Sequence, residues 1–154
     1  MNGNLTAGFI FVIALTSCAL EEKKTVDASS DTTDIELNGQ WKIECIKLND
    51  SVIVRPAAEK ESVCQYFTFT DSTYHIMTNC NAINGSYSMN GNSIVIGDGA
   101  MTELACDNME TEDALRAILP DITTVEAEND STIRLNSSTT PAYIVLNRIT
   151  TEIK

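Results

Sequence analysis

The chain has 154 residues, 43% hydrophobic and 21% charged, the ordinary balance of one globular domain with its own core. Its formal net charge of -12, from 22 acidic and 10 basic residues, argues against binding nucleic acid or an anionic membrane surface through the protein itself. Both need clustered Lys and Arg to displace counterions. Charge of that size also keeps copies apart, so a monomer is expected.

Residues 1–17 contain no Lys, Arg, Asp or Glu, and the run from Ala7 to Leu15 has the length of a signal-peptide apolar region, too short to span a bilayer comfortably. Leu15-Thr16-Ser17-Cys18 follows at once and resembles the lipobox of bacterial lipoproteins, where small residues precede a Cys that is diacylated and becomes the new N-terminus. A thiol is needed there because sulfur is the nucleophile that accepts the diacylglyceryl group. The resemblance implies that Cys18 anchors the chain in a membrane through lipid, and that two or three acyl chains hold it firmly. It places the remainder in the cell envelope, at the periplasmic or surface face of an outer membrane. Residues 18–37 are rich in Ser, Thr and acids and poor in large apolar side chains, and such a stretch buries too little surface to offset its ordering entropy. They read as a tether, and the pair Glu21-Glu22 also resembles the surface-export signals of some Gram-negative lipoproteins.

Residues 38–154 read as the folded domain. A half-buried strand is expected from Trp41 to Leu48, with Trp41, Ile43 and Cys45 on one side. A loop with a short extended piece at Val52-Ile53-Val54 follows. The run from Cys64 to Phe69 turns at Asp71-Ser72 into Tyr74-His75-Ile76-Met77, an aromatic-rich hairpin. Asn90-Gly91 joins strands around Tyr87 and Ile94, and Asn-Gly suits a type I′ turn because both residues tolerate positive φ. One helix is expected, capped by Asp107 or Asn108, with Glu110 and Glu112 complementing its dipole, Leu115, Ile118 and Leu119 on one face, and Pro120 as its stop. Strands around Val125, Ile133 and Ile144 end the domain. The fold class is mainly β with one helix: a curled antiparallel sheet or a small lipocalin-like barrel with the helix packed on it, which shortens or removes exposed edges.

The segment Cys80-Asn81-Ala82-Ile83-Asn84-Gly85-Ser86-Tyr87, followed by Thr102-Glu103-Leu104-Ala105-Cys106 and an acidic helix, resembles the META domain family. Its members show Gly-Cys-Asn, Gly-x-Tyr and Thr-x-Met-Ala-Cys in this order. The resemblance runs from Gly39-Gln40-Trp41 to the Tyr143–Arg148 strand; Asn79 stands in place of the Gly and Leu104 in place of the Met. The family includes a heat-shock-associated bacterial protein, so the resemblance implies a stress-related or interaction role in the envelope. It also implies a bridge between the motif cysteines Cys80 and Cys106, leaving Cys45 for Cys64. Four cysteines allow three pairings, and the sequence does not choose among them.

No catalytic residue, metal ligand set or cofactor site is expected. The only imidazole, His75, lies in a strand, and no Gly-x-Ser-x-Gly elbow is present. Zinc would want C-x-x-C spacing, which is missing, and Asp98 and Asp107 lack the spacing of an EF-hand. The expected partners beyond the membrane are another envelope protein or a small apolar ligand, the latter because Gly39-x-Trp41 also resembles the opening of lipocalins. Some secretion pilotins share the META fold, which adds a lipoprotein chaperone to the readings.

Overall fold

The computed structural model describes residues 35–56, 65–138 and 141–150. Residues 1–34, with Cys18, lie outside the described residues. The strands are β1 (Gly39–Lys47), β2 (Ile53–Val54), β3 (Tyr66–Thr70), β4 (Thr73–Met77), β5 (Ala82–Asn90), β6 (Ser93–Met101), β7 (Ile122–Asn129), β8 (Thr132–Ser137) and β9 (Tyr143–Arg148). Between β6 and β7 lie one helix, α1 (Glu110–Ile118), and a 3-10 turn, Leu119–Asp121.

All pairings are antiparallel and follow chain order from β3 to β9, and β1 joins the two ends by pairing with both β3 and β9. The result is a closed eight-stranded barrel, with β2 added beside the last residues of β1 where β3 has ended. Along the strands the residues alternate between interior and surface, as the period of two requires. Phe67 and Phe69, Tyr74 and Ile76, Ile133 and Leu135, and Ile144 and Leu146 are buried, while their neighbours are half-buried or exposed. Leu115 and Ile118 of α1, with Leu119, add the face of the helix to the same core, as their spacing predicts.

Three details differ from expectation. In β1 a bulge lies between Ile43, opposite Leu146, and Cys45, opposite Val145. The extra residue reverses the alternation, so Ile46 enters the core and Cys45 is only half-buried. In the β5–β6 hairpin Asn90 pairs with Ser93, so the two loop residues are Gly91 and Asn92, and Gly91 alone of them has positive φ, at 57°. That is the type II′ pattern, with Gly in first place, rather than type I′. The helix begins one turn position later than expected: Met109 is the N-cap, while the Asn108 side chain still accepts from the Glu110 N–H at 3.1 Å.

The barrel is closed at one end by the chain that leads into it. Leu37, assigned to the tether by composition, is buried, and its carbonyl accepts from the Trp41 indole N–H at 2.7 Å. Arg148 lies over the Trp41 ring, 4.2 Å from its centroid, and donates to the carbonyls of Glu36 and Asn38 at 2.8 and 3.1 Å. One planar guanidinium thus holds the entering strand by both cation–π attraction and two backbone bonds. Arg148→Ala is expected to destabilise the domain by about 2–3 kcal/mol, and Arg148→Lys, which keeps charge but loses the fork, by about half of that. Urea unfolding followed by Trp41 fluorescence measures both, and equal losses for the two variants would refute the role of the fork.

Candidate functional site

The loop between β4 and β5 and the segment between β6 and α1 are joined by a bridge and by a buried polar group. Cys80 and Cys106 form a disulfide, with Cα atoms 6.2 Å apart and a sequence separation of 26. By loop-closure entropy such a bridge contributes about 3.5 kcal/mol through the unfolded state. Cys45 carries a free, half-buried thiol that burial raises above its ordinary pKa, and Cys64 lies outside the described residues.

Asn81, 1% exposed, does for the Thr102–Leu104 segment what a neighbouring strand would do. Its Oδ1 accepts from the Leu104 N–H at 2.9 Å and from the Thr102 hydroxyl at 2.8 Å, and its Nδ2 donates to the Leu104 carbonyl at 3.1 Å. The Ala82 N–H in turn donates to Thr102 Oγ1 at 3.1 Å. Glu112, expected on the strength of its position only to complement the helix dipole, is fully buried. Its Oε1 accepts from the Thr78 hydroxyl in a short bond and from the Asn81 N–H at 3.2 Å. Thr78 Oγ1 also accepts from the Cys80 and Asn81 amides at 3.2 and 2.9 Å. These bonds fasten α1 to the disulfide loop, and Asn79 Nδ2 adds another to the Asn108 carbonyl at 3.1 Å. Asn81 and Thr102 therefore work together; Ala105 sits exposed beside Cys106 at a shallow crevice shared with Asn79.

Gly85 and Tyr87 act on the interior side. Tyr87 is buried and meets the Phe69 ring edge-on, 5.1 Å between centroids. Gly85 pairs with Tyr74 on one side and Gly99 on the other. A Cβ on either glycine would stand 2.5–2.6 Å from the Tyr74 hydroxyl oxygen, so the Tyr74 ring occupies the room that two side chains would take. Its hydroxyl reaches toward the Gly97 carbonyl, 3.4 Å away.

Beside this ring lies a cavity of about 650 Å³. Its floor is buried and mostly apolar: Tyr74, Ile83 and Leu119, with half-buried Ile96. Exposed Asp98, Glu103 and Arg116 stand at its rim. Arg116 Nε donates to Met101 Sδ at 3.2 Å. Burial, and then the charge of Asp98, push the Tyr74 phenol above its ordinary pKa, which keeps it a neutral donor. Motif spacing gave no sign of the cavity, because its walls come from β4, β5, β6 and the helical segment. His75, the remaining candidate for chemistry, faces elsewhere, with Nδ1 2.5 Å from Asn84 Oδ1 on the half-exposed side of β4. Among the described residues no three His, Cys, Asp or Glu side chains come close enough to hold a metal ion.

Two measurements follow from this geometry. Asn81→Ala leaves the part-buried Leu104 N–H and carbonyl and the Thr102 hydroxyl without this partner, and is expected to cost about 1–2 kcal/mol. Because the bridge restrains the same loop, the loss should be non-additive with that of Cys80→Ala/Cys106→Ala, which a double-mutant cycle by chemical unfolding reads; strict additivity would separate the two. Tyr74 and Tyr87 are both raised, each first by burial and then by a nearby Asp, so the folded chain holds these phenols neutral after the unfolded chain has begun to ionise them. Stability is therefore full below about pH 10 and declines as pH rises through the raised values. Tyr74→Phe should make that decline shallower, and an unchanged alkaline slope would contradict the assignment.

The META domain model matches residues 33–148. A protein from Burkholderia xenovorans, solved by NMR, superposes with a TM-score of 0.61 at 19% identity, covering 75% of this chain and 85% of that one. A DUF4847 family protein from Bacteroides vulgatus, solved by crystallography, gives a TM-score of 0.50 at 12% identity, covering 77% and 97%. At these identities the likeness is one of fold. No curated protein matches the sequence. With the family match spanning most of its length, and with Cys80, Asn81, Thr102 and Cys106 of the motif meeting at one bridge while Gly85 and Tyr87 lie further along β5, the chain belongs to the META domain family.

Proposed function

We propose that the chain is a non-catalytic lipoprotein of the cell envelope, anchored through Cys18, whose META barrel works by binding. The observation that carries this reading is the cavity beside Tyr74, an open concave site where Tyr74, Ile83, Ile96 and Leu119 meet Asp98, Glu103 and Arg116, so that apolar and polar surface converge in equal measure as a binding site can use. Its titratable groups favour recognition over chemistry. The Tyr74 phenol is pushed away from ionisation, and neither nucleophile nor imidazole stands beside it. A role in envelope stress, implied by the family resemblance, fits a binder without a reaction of its own.

Anchoring rests on the apolar run and Leu15-Thr16-Ser17-Cys18. Among the described residues no helix is long and apolar enough to cross a membrane. In a bacterial host, labelled palmitate is expected on the full chain and to be lost from Cys18→Ser, which should move from the membrane fraction to the soluble one. A Cys18→Ser chain that stays with the membrane, or an intact chain without label, refutes the anchor.

A second reading, a carrier of a small apolar ligand, is favoured by Tyr74, Ile83, Ile96 and Leu119 on the cavity floor. It predicts saturable binding of a fluorescent fatty acid that is lost when Ile83→Trp fills the cavity. Equal binding by the filled variant, or none by the intact chain, removes that reading.

A further inference from the structure

The barrel leaves one length of strand without a neighbour. On one side β6 pairs with β5 from Ser93 to Met101, with a bulge that sets both Gly97 and Asp98 against Ser86. On the other side only Ser93 pairs, with Thr124 of β7, beside a bond from the Val125 N–H to the Asn92 carbonyl at 2.8 Å. From Val95 to Met101 that edge has no strand beside it among the described residues. The chain departs there into α1 and the 3-10 turn, and the cavity lies between them and the edge.

An open edge is a row of unpaired N–H and C=O groups, a template for another chain. Proteins usually blunt such edges with Lys, Pro or a covering element. This one reads Val95-Ile96-Gly97-Asp98-Gly99-Ala100-Met101, without Lys or Pro, and Val95 is 64% exposed. Gly97, Gly99 and Ala100 keep it low, so an approaching backbone meets little side chain.

We propose that this edge takes an extended, basic segment of a partner protein, which adds as a strand to β6 and sets one side chain into the cavity beside Tyr74. The inference rests on reading that cavity as a binding site. Charge chooses the occupant. Asp98 lies at the middle of the open edge and Glu103 just beyond its end; together they outnumber Arg116 at the same rim, on a chain of net charge -12, so a basic strand is attracted and steered. Pairing with a second copy is disfavoured by the same residues. A two-fold antiparallel pairing centred on this segment sets Asp98 opposite Asp98, and like charges facing across strands are destabilising. Main-chain bonds would provide affinity and the cavity would provide side-chain selection, as in other cases of strand addition.

The test uses the full chain in detergent and a capped peptide of alternating Val and Lys, as long as the segment Val95 to Met101. Saturable binding is expected, with slowed hydrogen exchange at residues 95–101. Methylation of alternate peptide nitrogens keeps the charge but removes the ladder donors, and should weaken binding by about tenfold or more. Asp98→Lys should weaken it comparably and admit the Val-Glu counterpart. Equal binding by the methylated peptide, protection elsewhere, or no binding overturns strand addition. So does a dimer in sedimentation whose protection falls on residues 95–101 without peptide, which would assign the edge to a second copy. A chain that takes the fatty-acid probe but not the peptide keeps the binding site and loses only strand addition; one that takes neither loses both.

Discussion

Everything in the domain depends on the obligation of backbone amides in a sheet to find partners on both sides. β1 meets it by pairing with β3 along its first half, β2 at its end and β9 along its length. That one strand turns a meander into a barrel, and a barrel has an interior into which alternate residues must point. Trp41 and Ile43 enter it directly, and the bulge after Ile43 swaps Ile46 for Cys45 so that the longer apolar side chain is the one enclosed. Arg148 enforces the same closure from outside, since its guanidinium can sit over Trp41 only when β9 lies beside β1.

The obligation is relaxed at one place, between β6 and β7, and the rest of the structure compensates there. With a single residue pair across the seam, the chain between the two strands covers part of it: the 3-10 turn Leu119–Asp121 packs against β6, while α1 packs on β1 and β2 and adds Ala114, Leu115 and Ile118 to the common core. A nine-residue helix is marginal alone, so it must be held. The holding is done at its first turn by Glu112, bonded to Thr78 and Asn81, and just before it by the Cys80–Cys106 bridge. Glu112 Oε1 finds donors in Thr78 and the Asn81 amide while Oε2 is buried without a hydrogen-bond partner, so the side chain makes the helix position specific: a shift of one residue would break both bonds. The Cys80, Asn81 and Cys106 part of the family motif is, on this view, a clamp that holds α1 to the disulfide loop.

Much of this was legible in the sequence because the signals were local. The strands holding Phe67 and Phe69, Ile133 and Leu135, and Ile144 and Leu146 stand where strands were expected, the first turn falls at the expected Asp71-Ser72, and the second, at Gly91-Asn92, lies one residue beyond the expected Asn90-Gly91. The pairing of Cys80 with Cys106 came with the family motif. What escaped was nonlocal. Glu112 satisfied a dipole argument completely, and only the arrival of Thr78 and the Asn81 amide from another loop makes it a buried anchor. Leu37 looked like the end of a polar tether because its burial depends on Trp41 and on Arg148, 111 positions further along. The cavity has no sequence signature at all, since it is a gap between elements and not a pattern within one.

The poorest strand-forming residues of the barrel are gathered at that gap. Gly85, Gly97 and Gly99 occupy adjoining positions in β5 and β6, where β-branched residues would add packing and stiffness, and a bulge interrupts their ladder. The Tyr74 ring fills the space above Gly85 and Gly99, so part of the lost contact is recovered by one aromatic side chain reaching across two strands. The recovery is incomplete, because the same ring stops short of the rim and leaves the cavity between itself and α1. Local preferences that disagree with the global fold tend to sit where a protein does something other than fold. Here the disagreement covers a glycine pair, a bulge, an acidic residue at mid-strand and an open edge, all within reach of one cavity. Replacing those glycines with Val would favour strand formation by propensity alone, yet each Cβ would collide with Tyr74 or Ser86. The barrel is therefore locked into its thin wall: at Gly85 and Gly99 it can be made stiffer only by displacing Tyr74, the residue that also shapes the site, and at Gly97 only by displacing Ser86.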